Sequence, residues 1–249
     1  MRFRLITLNL IATVLISWVS QSTQTKLEIP KIIEGEQIIE HYAYTLSYNE
    51  EYEQANWVAY SLKSSELIKA AKRSNRFKPD PLVKTKSANT KDYTKTGFDR
   101  GHLAPAADMA FSITAMEESF FMSNISPQRP KFNRGIWKKL EENVRNWAEK
   151  EGNLFIVTGP VLTDNPTDFI GRTSKVVVPN YFYKALLDTT GTDKAIAFIL
   201  PNRGSDQPLS DFVVSIDSLE IVLGRDLFHN LSDDVEFNIE KSVRYSDWD

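Results

Sequence analysis

The chain is predicted to be an α+β protein on two grounds: strand-like runs outnumber helical ones, and they succeed one another as antiparallel neighbours do. Taken in order, residues 37–48 and 56–62 mix β-branched and aromatic residues with polar alternation and read as two strands. Residues 66–73 form a short helical candidate. Residues 78–97 carry Pro79, Pro81 and many Lys, Ser and Thr, and read as an exposed loop. Residues 98–103 lie on a strand or its end. Thr114 is expected to cap a short helix running through residue 121, with Glu117 at the third position as in a capping box. Pro127 and Pro130 exclude regular structure between them. The best helix spans 133–150, with Gly152 as its stop signal. Residues 154–162, 175–188 and 194–200 read as strands, and 216–223, between Ser215 and Gly224, as a second helix.

Length and composition fit one substantial soluble domain, with 41% hydrophobic and 25% charged residues among 249. The start of the chain differs. Arg2 and Arg4 precede an almost uncharged apolar run over residues 5–19, followed by small and polar residues 20–25. That is the layout of a signal peptide over residues 1–25, leaving a domain over 26–249 and an exported protein, periplasmic or secreted. An uncleaved membrane anchor is the alternative, although the apolar run is shorter than the roughly twenty residues a spanning helix uses. Zero cysteines exclude disulfides, thiolate nucleophiles and cysteine metal sites.

The net charge of −3 hides an asymmetry. Residues 61–100 hold 11 Lys or Arg against 4 Asp or Glu, and residues 201–249 hold 4 against 11. A polyanion responds to the local field rather than the total. The basic stretch runs directly into Asp99-Arg100-Gly101-His102, and the acidic end is expected to face away from any such partner.

That tetrapeptide carries one of only three histidines. His102 can exchange a proton near neutral pH, Arg100 offers a planar fork suited to phosphate oxygens, and Gly101 permits close backbone approach. A base, a phosphate clamp and a joint in four residues suit phosphodiester cleavage. The same residues also fit a loop with a surface histidine and a salt-bridged Asp–Arg pair. His41 and His229 are expected to be satisfied or exposed, and Ser123 and Ser126 lack a histidine-based nucleophile arrangement.

The helix over 133–150 adds a second constellation. At about 100° per residue, Trp137, Leu140, Val144, Trp147 and Ala148 share one apolar stripe. Asn133 projects into the middle of it and Glu141 onto its edge, whereas Glu142 points to solvent. An amide heading a core-facing stripe needs a partner. Helix capping supplies one. The other is a hard cation such as Mg²⁺, which takes oxygen ligands and few protein groups, with Asn133 as ligand and Glu141 holding a water two turns on.

Asp99-Arg100-Gly101-His102-Leu103 followed by Ala107 resembles the active-site signature of the DNA/RNA non-specific endonucleases. The likeness continues through 55–60 (Ala-Asn-Trp-Val-Ala-Tyr), Asp80-Pro81, 123–128 (Ser-Asn-Ile-Ser-Pro-Gln), Asn133, Trp137, Leu140, Glu141 and 158–160 (Thr-Gly-Pro). It covers about residues 44–227. The resemblance implies a central antiparallel sheet flanked by helices and a ββα-metal motif, in which the strand bearing His102 packs on the helix beginning at Asn133. It implies Mg²⁺, with Mn²⁺ possible, held by Asn133 and supported by Glu141. His102 would be the general base, Arg100 would stabilise phosphoryl charge, and Asn124 would belong to the active-site shell. Alternation along the strand puts Arg100 and His102 on one face and Asp99 on the other, as an orienting residue. An upstream phosphate-binding arginine is either Arg73, which is favoured, or Arg76. DNA and RNA are the implied substrates, 5′-phosphorylated oligonucleotides the products, and a homodimer is a possible assembly. Two alternatives stay open: a phosphodiesterase on small phosphate esters, and a relative that binds nucleic acid without cutting it.

Overall fold

The computed structural model describes residues 26–242 and 244–248; the signal peptide expected over residues 1–25 lies outside them. Strand β1 (Gln37–Glu40), β2 (Thr45–Asn49) and β3 (Gln54–Lys63) are followed by the short β4 (Asp99–His102), helix α1 (Ile113–Glu118) and β5 (Ile125–Gln128). Helix α2 (Lys138–Glu151) leads to β6 (Asn153–Val161), β7 (Phe169–Ile170), β8 (Val176–Val177), β9 (Tyr181–Asp188) and β10 (Lys194–Pro201). The chain closes with β11 (Val213–Val214), α3 (Ile216–Leu223) and α4 (Asp233–Ile239). Seven strands form one sheet in the order β1-β2-β3-β6-β9-β10-β11, antiparallel throughout. The α+β class and helix-flanked antiparallel sheet expected above are present.

Period-two alternation divides this sheet between two cores. Val58, Tyr60 and Leu62, Leu154 and Ile156, Phe182 and Leu186, and Ile196, Phe198 and Leu200 pack against Trp137, Leu140, Val144, Trp147 and Ala148 of the helical segment. The residues between them, including Trp57, Val157, Tyr183 and Ala197, pack against Ile216, Leu219 and Ile239 on the other face. The acidic segment bearing α3 and α4 thus lies across the sheet from α2. Among the described residues no helix is long and apolar enough to cross a membrane.

Several expectations are corrected. Residues 37–48 are a hairpin, β1 and β2, closed by a His41 N–H donating to the Tyr44 carbonyl at 2.8 Å. Residues 66–73 form no helix beyond one tight turn at Ser64–Glu66; so short a segment gains too little burial to offset nucleation, and Ile68 stays exposed. Helix α1 starts earlier than expected, capped by Ser112 Oγ accepting from the Ala115 N–H, so Thr114 is not the cap. Pro127 lies inside β5, where a two-stranded ladder asks no second edge of it. The stretch over 78–97 is loop apart from a 3-10 turn at Thr90–Tyr93, and it is not all exposed: Asp92 is buried, and its Oδ1 accepts N–H bonds from Arg172, Thr173 and Ser174. Pro179 separates β8 from β9 within the run read as one strand. The helix expected from residue 133 is α2 preceded by a wide π-type turn, Phe132–Trp137, broken at Gly135 (φ −108°, ψ −111°).

The β4–β5 ladder is fastened to the main sheet by buried amides. Ser126 Oγ donates to Gln54 Oε1 at 2.6 Å, and Gln54 Nε2 donates to the Val177 carbonyl at 2.9 Å. Asn202, at the end of β10, accepts from the Arg129 N–H and donates to the Pro127 and Pro179 carbonyls at 2.8, 3.1 and 2.9 Å. Asn202→Ala would leave three backbone groups without partners, each costing roughly 1–3 kcal/mol when buried. Urea denaturation should show a loss of about 3 kcal/mol or more; an unchanged midpoint would mean the staple contributes little.

Candidate active site

β4 and β5 pair antiparallel, with Asp99 opposite Gln128, Arg100 opposite Pro127, Gly101 opposite Ser126 and His102 opposite Ile125. Gly101 is required here, because an added Cβ would stand 2.2 Å from the buried Gln128 side chain. Beyond β5 the chain turns into Phe132–Trp137 and α2, so the two strands and the helix form one β-β-helix unit. A cavity of about 400 Å³ opens on it. Arg73, Arg100, His102, Asn133, Arg134, Lys138, Glu141 and Arg145 line it, together with residues 105–107.

The alternation along β4 gives each side chain its task. Arg100 and His102 both lie against Phe77, the guanidinium 4.8 Å and the imidazole 5.5 Å from its ring centroid. Phe120 meets the imidazole edge-on at 4.8 Å. His102 is 8% exposed, and its buried Nε2 has no hydrogen-bond partner among the described residues. Burial, and then the nearby Arg73 charge, lower its pKa to about 3. The imidazole is therefore neutral at physiological pH, with a ring nitrogen uncommitted.

Asp99, on the other face of β4, reaches the start of the helical segment. Its Oδ2 accepts from Asn133 Nδ2 at 2.9 Å and Arg134 Nε at 2.8 Å, and its Oδ1 accepts from Arg134 Nη2 at 2.6 Å. Burial pushes this carboxyl up, but the bonds from Arg134 and Asn133 more than offset that and hold it below the usual range. An ionised carboxylate only accepts, so the amide nitrogen of Asn133 must face it. The Asn133 carbonyl oxygen is left for the cavity. The amide's partner, which helix periodicity demanded without naming, is Asp99.

Glu141 is governed by the residues behind the cavity. Burial drives its carboxyl upward, while Lys184 and the Arg145 and Arg73 charges pull it down and Asp108 raises it. Lys184 sits at the centre of β9, fully buried, its ammonium 5.0 Å above the Trp137 ring and without a hydrogen bond among the described residues. Burial lowers its pKa and Glu141 restores part of it. Asp108 accepts from Arg145 Nη1 and Tyr60 Oη, each at 2.8 Å. Five cationic side chains line the cavity against the single carboxylate of Glu141, among the described residues.

The structure thus brings together His102, Arg100, Asn133, Glu141 and Arg73, while Arg76 does not line the cavity. Asn124 does not line it either. It is fully buried, its Oδ1 accepting from the Ala104 N–H and its Nδ2 donating to the Ala104 and Ser119 carbonyls, all at 2.9 Å. Its three bonds hold the backbone at Ala104, two residues after His102, and at Ser119. Glu142 points outward and pairs with Lys138. His41 is satisfied by Asp80 at 2.9 Å, which also accepts from Ser123 Oγ; with the carboxylate between them, the histidine cannot deprotonate that serine. Sequence reasoning missed Arg134, Lys138, Arg145 and Lys184. Arg145, one turn beyond Glu141, and Lys184, alone among apolar residues 182–187, carried a usable signal.

An antiparallel sheet bearing a β-β-helix unit, with the histidine on its first strand and the asparagine at the helix start, is the ββα-metal nuclease fold. Residues 24–234 match the DNA/RNA non-specific endonuclease family, and the chain belongs to that family. It is 37% identical over 194 residues to the mitochondrial nuclease EXOG of Danio rerio, covering 71% of this chain but 56% of that protein. It is 35% identical to nuclease C1 of Cunninghamella echinulata var. echinulata, covering 78% and 83%. It is 34% identical to the mitochondrial nuclease of Saccharomyces cerevisiae (strain ATCC 204508 / S288c), covering 74% and 63%. The fold is similar to a chain of the EndoG/EndoGI complex, with a TM-score of 0.74 and 28% identity over 85% of this chain and 94% of that one.

The depressed His102 pKa is testable by NMR of labelled histidine in metal-free protein. His102 should stay neutral through about pH 5, and Arg73→Ala should raise its pKa toward 6.5. Folding should also weaken in acid, because the unfolded imidazole binds a proton below about 6.5 and the folded one only near 3. A wild-type titration near 6.5 would contradict this account.

Proposed function

We propose that the protein is a Mg²⁺-dependent endonuclease that hydrolyses phosphodiester bonds in both DNA and RNA, leaving 5′-phosphorylated oligonucleotides. The observation that carries this is a neutral imidazole, an aimed amide oxygen and a set of cationic side chains, all lining one open cavity.

The donors suit a magnesium ion. They are oxygens only, the Asn133 carbonyl and the Glu141 carboxylate, few in number as Mg²⁺ prefers when it keeps waters and substrate phosphate, and Mn²⁺ accepts the same set. Bound there, the ion would neutralise charge on the phosphate and polarise its P–O bonds. Asn133 would hold it, with Glu141 supporting its hydration shell. The His102 imidazole, which lines the cavity, removes a proton from the attacking water, which its neutral state permits. Arg100 and Arg73 receive the charge that grows on the phosphoryl oxygens. Phe77 and Phe120 keep the imidazole in place through this exchange, and the bond to the 3′ oxygen breaks, the departing alkoxide taking a proton from solvent water in the open cavity and becoming the 3′ hydroxyl. Phosphate arriving beside Arg73 offsets the charge that depresses His102, which strengthens the base when substrate is bound.

We further propose that residues 1–25 are a signal peptide and that the domain over 26–249 acts after export. The arrangement of Arg2, Arg4 and the apolar run supports this reading; the relatives above include nucleases named as mitochondrial.

Supercoiled plasmid and RNA, incubated with the chain from residue 26 onward, test the activity. Both should be cut with Mg²⁺ and spared in EDTA, and His102→Ala should lower the rate by about 10²–10⁴-fold. Cleavage indifferent to EDTA, or to the substitution, would refute the assignment. A protein that shifts DNA in a gel yet cuts nothing would make it a binding relative.

A further inference from the structure

On the sheet face opposite α2, three carboxylates meet where α3 packs beside the end of α4. Asp217 and Glu220 stand one turn apart on α3, and Glu240 follows directly after α4. One oxygen from each lies within 4.8 Å of the other two. The two segments are tied by the backbone, the Asp217 N–H donating to the Glu240 carbonyl at 3.3 Å.

The meeting is not a solvated acidic surface. Glu240 is 5% exposed, and its Oε1 is wholly buried without a hydrogen-bond partner among the described residues. Oδ1 of Asp226, whose charge also acts on Glu240, is buried and unpartnered in the same way. Glu236 adds a further negative field. Against these stand Lys31, 3.5 Å from Asp226 Oδ2, and His229, which acts on Glu236. Glu220 Oε1 accepts the Leu227 N–H at 2.6 Å, which fixes the carboxylate without neutralising it. Burying a carboxylate oxygen without a donor, as at Glu240 Oε1, is costly, and such groups ordinarily pair or ligate metal.

The geometry points to a divalent-cation site formed by Asp217, Glu220 and Glu240, separate from the active-site cavity, with calcium as the ion it suits. The three donors are all carboxylate oxygens, contributed by two separate segments. Calcium takes six to eight such oxygens in irregular geometry, whereas magnesium demands a near-octahedral shell, and zinc sites favour nitrogen and sulfur donors. The half-exposed Asp217 and Glu220 leave room for water ligands. A cation here would clamp α3 to the end of α4 and stabilise the acidic C-terminal segment.

Calcium alone, titrated into EDTA-treated and dialysed protein, tests the site by calorimetry and thermal unfolding. The Asn133→Ala variant serves beside wild type, to remove binding at the active-site cavity. One calcium should bind Asn133→Ala, wild type should bind at least that one, and Tm should rise by several degrees in both proteins. Glu240→Gln should abolish that rise and, in EDTA, should melt above its parent because a repelled carboxylate has been removed. If Glu240→Gln does not fold, Glu220→Gln reads the same outcome. An unmoved Tm with calcium, or an equal rise in Glu240→Gln, would overturn the proposal. So would a Tm that rises in EDTA from about pH 8 to 6 with no response to calcium, since protons shared by the carboxylates would then supply the missing charge.

Discussion

Asp99 takes hydrogen bonds from both Asn133 and Arg134, and this contact makes the β-β-helix unit a site rather than two strands beside a helix. The carboxylate joins β4 to the wide turn, broken at Gly135, through which the chain enters α2. The contact sets the rotation of the Asn133 amide, and so decides which of its two atoms the cavity receives. Orientation by a carboxylate behind a metal-ligating group is a general device for tuning affinity. Arg134, mostly exposed, closes the clamp from the solvent side.

Around that clamp the site is built from charge held close to apolar surface. Phe77 and Phe120 wall the imidazole, and Phe77 also carries the Arg100 guanidinium. Behind, the buried Lys184 ammonium and the Tyr60–Asp108–Arg145 chain surround Glu141. Of the five cations that line the cavity, Arg134, Arg145 and Lys138 are paired with Asp99, Asp108 and Glu142, while Arg73 and Arg100 form no ion pair among the described residues and present their charge to an anion. Main-sheet alternation supplies the order: residues 182, 184 and 186 face the α2 side, so a lysine among them is delivered beneath Glu141. The acidic end of the chain, packed on the other face, leaves this field undiluted.

Much of this was legible because the relevant periods are short. The stripe of Trp137, Leu140, Val144, Trp147 and Ala148 is the core face of α2, and Ser215 and Gly224 bound α3 as predicted. Strand alternation correctly put Arg100 and His102 together and Asp99 apart. The hairpin within residues 37–48 was not legible, because a tight reversal at 41–44 leaves the count of β-forming residues unchanged. Nor was the π-type turn, since a 100° step assumes the regular helix that Gly135 interrupts. Asn124 has the composition of a site residue, but its burial and its three backbone bonds at Ala104 and Ser119 depend on contacts that local pattern does not carry. The roles of Arg145, Asp108 and Lys184 depend on contacts across long sequence separations, which local pattern does not carry.

The central claim is that Asp99 aims the Asn133 oxygen. Its most direct test is the Mg²⁺ concentration giving half-maximal cleavage by Asp99→Ala, compared with wild type under one set of salt conditions. The account predicts a requirement raised by about 10–100-fold, the cost usual for losing such a supporting partner, with cleavage recovering at saturating Mg²⁺. An unchanged requirement would contradict it, because the amide would then be held without its carboxylate.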